Sequence, residues 1–311
     1  MARMITLSDS QDAARRLQGF VHQTPVLTST TLDSLLGKQL FFKAEHLQKT
    51  GSFKIRGALN AALQAGDVPG FIAFSSGNHA QALAYAAKLL GKPAIILMPF
   101  DASKQKIKAT KAHGADVRTE GVTIENREAL VTQLAAETGY RLIPPYNDEQ
   151  VMAGQGTLAL EFLQQTPGLE AILVPIGGGG LISGVATVVK SLLPQVKVIG
   201  VEPENANDAQ QSLRAGQRIA LPTTPKTIAD GVRTITLGDQ TFPHIQKYVD
   251  AIITAPDNLI AQAQMLIMER LKQVVEPTAA LSLAPLLADN NLPTRIGIVL
   301  TGGNWLPKIQ I

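Results

Sequence analysis

Short apolar runs alternate with longer stretches of helical periodicity along most of this chain. The runs at 71–74, 94–98, 171–174, 196–201 and 296–300 are rich in Ile, Val, Leu, Phe and Ala without polar alternation. Strands covered on both faces read this way. The stretches at 80–90, 126–138, 154–165, 181–193 and 258–273 carry apolar residues near helical spacing. Strand and helix in alternation predict an α/β protein with parallel sheets. The pattern divides into two units, one formed by 1–69 with 148–311 and a smaller one formed by 70–147. Pro144-Pro145 marks a junction between them.

Three of the runs end in polar or glycine-rich turns. Residues 71–74 lead into Ser75-Ser76-Gly77-Asn78-His79, residues 171–174 into Gly177-Gly178-Gly179-Gly180-Leu181, and residues 296–300 into Thr301-Gly302-Gly303-Asn304. Ligands bind beyond the carboxyl ends of strands in open α/β sheets. Three such ends predict one composite site in a cleft between the two units.

The glycine run is the strongest of these signals. Successive N–H groups without side chains can wrap a phosphate, and a helix opening at Leu181 adds its positive end. A P-loop would need Lys-Ser/Thr after the glycines, where this chain has Leu181-Ile182-Ser183. A dinucleotide fingerprint fails too, because Ile182 or Ser183 falls at its third glycine. Ser75, Ser76, Asn78 and His79 offer hydroxyls and an amide at a helix start, which suits a carboxylate, although an N-cap alone would look the same. Lys54 lies between Phe53 and Ile55, poor company for a solvated cation. Desolvation lowers a lysine pKa and makes the amine a nucleophile.

Composition narrows the classes. At 311 residues and 45% hydrophobic content, the chain can bury a large core. Its net charge of +3 is too weak to indicate a nucleic-acid partner, and Lys104, Lys108 and Lys111 predict a solvated helical face. The absence of cysteine excludes disulfides and thiolate sites. No stretch reads as a signal peptide or membrane span, so a cytoplasmic protein is expected, with neither membrane nor nucleic acid as a partner. Glu202, the carbonyl of Ala206 and Asp208 are hard oxygen ligands of the kind Mg2+ or Ca2+ takes. His22, His46, His79, His113 and His244 show no metal-binding spacing, and no Gly-x-Ser-x-Gly elbow accompanies them.

Together, residues 49–58, 75–79, 177–181 and 301–304 resemble the fold-type II pyridoxal 5′-phosphate (PLP) enzymes, and within them the serine/threonine dehydratases and serine racemases. The resemblance runs from His22-Gln23-Thr24-Pro25 through residues 153–157 and Glu276-Pro277-Thr278-Ala279 to Asn304. It implies a tryptophan synthase β-like fold, with two open parallel-sheet α/β domains and the cofactor in the cleft between them. It implies that Lys54 carries PLP as a Schiff base and removes the α-proton, with Phe53 packed on the cofactor and Asn78 on its ring oxygen. Gly177, Gly178, Gly179, Gly180 and Leu181 would cradle the phosphate. Thr301 would face the ring nitrogen, where many relatives have serine, and Gly231 and Glu276 would lie near the ring. Ser75, Ser76, Asn78 and His79 would bind the substrate carboxylate, and Ser76 would be the acid/base on the opposite face. Arg127 would face the cleft. Glu202, Ala206 and Asp208 would hold a divalent cation, Mg2+ or in its place Ca2+ or Mn2+. Tyr146 stands where some relatives have asparagine and is given no role. Lys49, Thr50 and Gln81 match nucleotide-contacting positions of animal serine racemases, without implying regulation by ATP.

The activity implied is β-elimination from 3-hydroxy amino acids. L-threonine/L-serine dehydratase comes first, giving 2-oxobutanoate or pyruvate and ammonia. Serine racemase and threo-3-hydroxyaspartate ammonia-lyase are the alternatives, and a non-catalytic PLP carrier or sensor is the alternative outside enzymes. A homodimer is expected by analogy. The chain stops soon after its last motif, so no C-terminal regulatory domain of the biosynthetic dehydratase kind is expected.

Overall fold

The computed structural model describes residues 3–288 and 291–306. Its strands are β1 (Val26–Leu27), β2 (Gln39–Lys43), β3 (Phe71–Phe74), β4 (Ala94–Leu97), β5 (Asp116–Arg118), β6 (Arg141–Leu142), β7 (Ala171–Pro175), β8 (Lys197–Pro203), β9 (Ala251–Ala255) and β10 (Arg295–Val299). Its helices are α1 (Leu7–Leu17), α2 (Thr30–Leu36), α3 (Lys54–Leu63), α4 (Asn78–Leu89), α5 (Lys104–Ala112), α6 (Arg127–Thr138), α7 (Glu149–Gln165), α8 (Gly180–Leu192), α9 (Asp208–Ala215), α10 (Phe242–Tyr248), α11 (Asp257–Leu266) and α12 (Pro277–Ala280). No helix among the described residues is long and apolar enough to cross a membrane.

Two sheets form. One has the order β1-β2-β10-β7-β8-β9 and is parallel except for β1; the other has the order β5-β4-β3-β6 and is parallel throughout. Alternate residues of each strand enter different cores. Leu173 and Ile199 pack on one side of the larger sheet with α2, α11 and α12, while Ile172 and Val198 pack on the other with α7, α8 and α10. In the smaller sheet, Phe71 and Ala73 face α3 and α4, and Ile72 and Phe74 face α6. Both faces are covered, which is why the strands carry no polar alternation.

Local chemistry fixes the helix ends. Thr6 and Asp9 form a reciprocal capping box on α1. Asp148 accepts from the N–H groups of Gln150 and Val151, so α7 starts at Glu149 and not at the expected residue 154. The helix expected over 258–273 is α-helical only to Leu266. It widens into a π turn over Ile267–Leu271 and stops at Lys272 in the left-handed region. Lys104, Lys108 and Lys111 are exposed on α5, as expected of a solvated face.

Helix α3 is not an amphipathic surface helix. Residues 55–62 are all buried, and Arg56 has no exposed surface. Arg56 Nε and Nη2 donate to Glu45 at 2.8 Å, and Nη1 and Nη2 donate to Glu161 at 2.6 and 2.8 Å. Thr157 Oγ1 and the His22 carbonyl accept further bonds. Lys43 Nζ joins the cluster through Glu161, Gln165 and the Thr24 carbonyl. Two cations and two carboxylates thus lock α3 to α7 and to the turn after β2. A side chain at Gly57 or Gly154 would prevent this approach: a Cβ at Gly154 would lie 2.5 Å from the Arg56 carbonyl oxygen.

Removing one member of a buried ion cluster strands its partners. Arg56→Ala is expected to lower stability by about 3–5 kcal/mol, read as a shift of the urea midpoint at unchanged slope.

Candidate active site

The turn that carries Lys54 is pinned to the end of β10. Ser52 and Gly302 form an isolated antiparallel bridge, and Phe53 N–H donates to the Thr301 carbonyl at 3.1 Å. Lys54 is the first residue of α3. Its Nζ donates to the Pro145 carbonyl at 2.7 Å and lies 5.1 Å from the centre of the Phe53 ring. Burial lowers the pKa to about 8, and the Glu276 carboxylate opposes this only in part.

The glycine turn opens α8. Gly179 has φ +92°, a conformation that L side chains rarely adopt. A Cβ at Gly178 would fall 2.4 Å from three ring carbons of Tyr146. The turn is held from behind by Thr241 Oγ1, which donates to the Gly178 carbonyl at 2.7 Å. Among the described residues no protein group accepts from the N–H of Gly177, Gly178 or Gly179. These donors stand at the positive end of a 13-residue helix, where an anion is favoured.

Thr301 follows β10 with its Oγ1 buried and without a partner. A hydrogen-bonded chain runs beside it. Asn304 Nδ2 donates to the Thr50 carbonyl and to Asn78 Oδ1, both at 2.8 Å, and Asn78 Nδ2 donates to Glu276 Oε1 at 2.7 Å. Burial raises the Glu276 pKa to about 7, helped by Asp230 and opposed by Lys106, Asn78 and Lys54. Lys54 and Glu276 each favour the charged form of the other, but burial dominates both.

The end of β3 supplies the opposite wall. Ser75 Oγ accepts from the Gly77 N–H at 3.2 Å. His79 Nε2 pairs with the Ile143 carbonyl at 2.8 Å, which assigns the proton to Nε2. Its pKa falls to about 3, through burial first and Lys54 second, so His79 is neutral and its buried Nδ1 has no partner. Arg127 lies 5.1 Å from the Phe74 ring centre, and its buried Nε also has no partner. No carboxylate pairs with Arg127 among the described residues.

One cavity gathers Phe53, Lys54, Ser75, Ser76, Asn78, His79, Arg127, Gly177, Gly178, Gly179, Gly180, Leu181, Gly231, Glu276 and Thr301. The ends of β3, β7 and β10 all contribute to its lining. Lys106, Tyr146, Asp230, Thr234 and Thr278 line it too and carry no expectation from the sequence beyond the remark on Tyr146. Lys106 lies on a solvated helix, Thr278 on the short buried α12 and the others in turns and loops, where no periodicity marks them. The buried, unpartnered Oγ1 of Thr234 could be found only from the structure.

Glu202, Ala206 and Asp208 lie outside this cavity, and all three are buried. Glu202 accepts from the N–H groups of Ala209 and Gln210 at 2.9 and 2.8 Å, gripping the start of α9. Asp208 Oδ2 is buried without a partner. Burial pushes the Glu202 and Asp208 carboxyls up to about 8 and about 7. No group of three or more His, Cys, Asp or Glu side chains suited to a metal occurs among the described residues.

The pyridoxal-phosphate dependent enzyme family model matches residues 17–302. The chain belongs to that family. It is 48% identical to the L-threo-3-hydroxyaspartate ammonia-lyase of Saccharomyces cerevisiae over 304 residues, which cover 96% of this chain and 93% of the other. It is 44% identical to the serine racemase of Oryza sativa subsp. indica, with 94% and 89% covered. Among solved structures, the T.th. threonine deaminase superposes with a TM-score of 0.96 at 49% identity, covering 98% of this chain and all of that one. The fold is thus that of a fold-type II PLP enzyme, and its cofactor is PLP. The cavity fits the cofactor. It offers a desolvated amine, a glycine turn whose N–H groups are unused, and an orphaned hydroxyl at Thr301.

Only the neutral amine attacks an aldehyde. Capture of PLP by the cofactor-free protein should therefore accelerate about tenfold per pH unit below the Lys54 pKa of about 8 and level off above it. Stopped-flow absorbance would check this; a rate still climbing at pH 10 would mean that Lys54 is an ordinary solvated lysine.

Proposed function

We propose that this enzyme eliminates water from 3-hydroxy amino acids, with L-threonine and L-serine as substrates, and releases a 2-oxo acid and ammonia. The observation that carries the reading is the meeting, in one cavity, of the Lys54 amine, the glycine turn and the unpartnered Thr301 hydroxyl. Bound PLP supplies an electron sink for the carbanion left by loss of the α-proton. Lys54 would hold the cofactor and, as a free amine, would take that proton. Its depressed pKa keeps a useful share of the amine neutral near pH 7. Ser75, Asn78 and neutral His79 receive the α-carboxylate. Gly177, Gly178, Gly179, Gly180 and Leu181 take the phosphate, while Phe53, Gly231 and Glu276 line the ring.

Thr301 supports the elimination reading. A hydroxyl cannot stabilise a protonated ring nitrogen as a carboxylate would. PLP held with its ring nitrogen at Thr301 would be a weaker electron sink, which would favour elimination. Ser76 supplies a second proton-handling group, which is what racemisation of serine would require.

A second reading is favoured by Arg127. Its guanidinium lines the cavity, has an unmade Nε bond and pairs with no carboxylate among the described residues. A second substrate carboxylate, as in threo-3-hydroxyaspartate, would supply one. A panel of L-threonine, L-serine, D-serine and L-threo-3-hydroxyaspartate tests both readings. Lys54→Ala should abolish turnover of all four and the absorbance of protein-bound PLP. Arg127→Met should cost hydroxyaspartate roughly 100-fold in kcat/KM and threonine less than about 3-fold. Full activity of Lys54→Ala would overturn the assignment, and equal losses in Arg127→Met would remove the second reading.

Glu202, the Ala206 carbonyl and Asp208 are proposed to hold a divalent cation, Mg2+ in the first instance. Support comes from two buried carboxylates without a cationic partner and from the orphaned Asp208 oxygen. A chelator should lower the melting temperature, and Mg2+ should restore it in the parent but not in Asp208→Asn. Indifference of the parent to both treatments would count against the site.

A further inference from the structure

The two proton-handling groups stand on turns that are anchored differently, although α3, which Lys54 opens, also packs with α4 against the four-stranded sheet. Lys54 follows the turn bridged to β10, in the six-stranded sheet. Ser76 follows β3, in the four-stranded sheet. Their separation depends on how those halves are joined across the cavity.

Lys106 and Asp230 make such a join. Lys106 lies on α5, which packs on α4 and β5 of the four-stranded half. Asp230 begins the turn Asp230–Val232 on the other half. That turn is anchored by Gly231 N–H donating to Thr278 Oγ1 at 3.0 Å and by Val232 in the core under the larger sheet. Lys106 Nζ and Asp230 Oδ2 form an ion pair, and both residues line the cavity. The Lys106 side chain also lies on the turn after Ser76. A Cβ at Gly77 would stand 3.4 Å from its Cδ and Nζ. The same side chain therefore runs close beside the Ser76 turn and pairs with the opposite wall.

We propose that the Lys106–Asp230 pair is a cross-cavity tether that presses the Ser76 turn toward the substrate held over Lys54, and that it sets how well the enzyme handles the D-enantiomer relative to the L-enantiomer. The proposal rests on the assignment of Lys54 and Ser76 as the two proton-handling groups. Lys54 serves the face from which an L-amino acid loses its α-proton, and Ser76 serves the other. Slackening the tether moves Ser76 away and leaves the bridged Lys54 turn in place. Lys106 and Asp230 are positioning residues in this scheme.

The pair is neutral as a whole, and its two charges act on Glu276 in opposite senses. A single substitution unbalances them, whereas a charge exchange does not. The measurement is the ratio of 2-oxo acid formation from D-serine to that from L-serine, at saturating PLP. Lys106→Met and Asp230→Asn should each lower the ratio roughly three-fold, in keeping with a partly exposed ion pair. The double variant Lys106→Glu/Asp230→Lys should recover it. The parent enzyme tests the same point without substitution. Raising KCl from about 0.05 to about 0.5 M should lower its ratio by a similar factor, because salt screens a partly exposed pair.

D- and L-turnover falling together in the single variants would overturn the tether. So would a ratio that stays low in a folded double variant, or one that is flat across the salt series. Turnover of L-serine with none of D-serine would overturn the role of Ser76 and the tether with it, while leaving the elimination assignment standing. No turnover of any 3-hydroxy amino acid would overturn the assignment itself.

Discussion

The buried guanidinium of Arg56 is the constraint on which the site is built. It sits two residues beyond Lys54 on the same helix, with Glu45 on one side and Glu161 on the other. Burying two cations and two carboxylates does not by itself stabilise a fold, because desolvation offsets much of their attraction. What the cluster supplies is a single permitted arrangement. Each charge meets an opposite one only when α3, α7 and the turn after β2 hold one register. The close crossing of α3 and α7 through Gly57 and Gly154 allows that register and no bulkier one. Lys54 inherits its position from this lock on one side and from the bridge to Gly302 on the other.

Given that position, burial sets most of the electrostatics. It pushes Lys54 down to about 8, His79 down to about 3 and Glu276 up to about 7, each toward its neutral form. A site biased toward neutrality suits proton transfer near pH 7, where a lysine at its usual value would be almost wholly protonated. Thr301 extends the same logic by lining the cavity with a buried, unpartnered hydroxyl and no charge. The positive features that remain line the same cavity: the N–H groups of the glycine turn, without a protein acceptor, and Arg127, without a paired carboxylate, among the described residues.

Much of this was legible in the sequence, and the exceptions have physical causes. Residues 71–74 and 171–174 read as strands because both faces of their sheets are covered and nothing polar interrupts them. The glycine run and Lys54 stood out by their chemistry and Ser76 and Thr301 by the family resemblance, and the fold brings all of them to one cavity. Helix α3 went unread because a helix buried all round has no apolar stripe, and Arg56 and Asn60 look like surface residues until their partners are known. The first turn of α7 hid behind its Asp148 cap. The end of α11 hid a π turn, since residues 267–271 keep an apolar pattern close to that of an α-helix. Tyr146 lines the cavity against the very glycines that were legible, but a tyrosine after two prolines carries no mark of that contact.

The relation between Lys54 and Ser76 was never available from residue identities. Both side chains can be read, and so can the reactions that each permits. The balance between those reactions is a property of distance, and this distance spans two sheets that share no strand. Short-range geometry within either half is stiff, because the central strands are packed on both faces. The halves meet through the packing of α3 on α4 and, around the cavity, through the hydrogen bond from Lys54 to Pro145, the Glu276–Asn78–Asn304 chain and the Lys106–Asp230 pair. The first two cavity contacts are short neutral or singly charged contacts in the interior and hold their groups tightly. The third is a pair of long or exposed side chains at the edge, the least stiff of the three. Relatives that share a catalytic lysine and a glycine turn can thus differ in outcome without differing in either. In this chain the Lys106–Asp230 pair stands at the edge of the cavity, partly exposed and close beside the turn that carries Ser76.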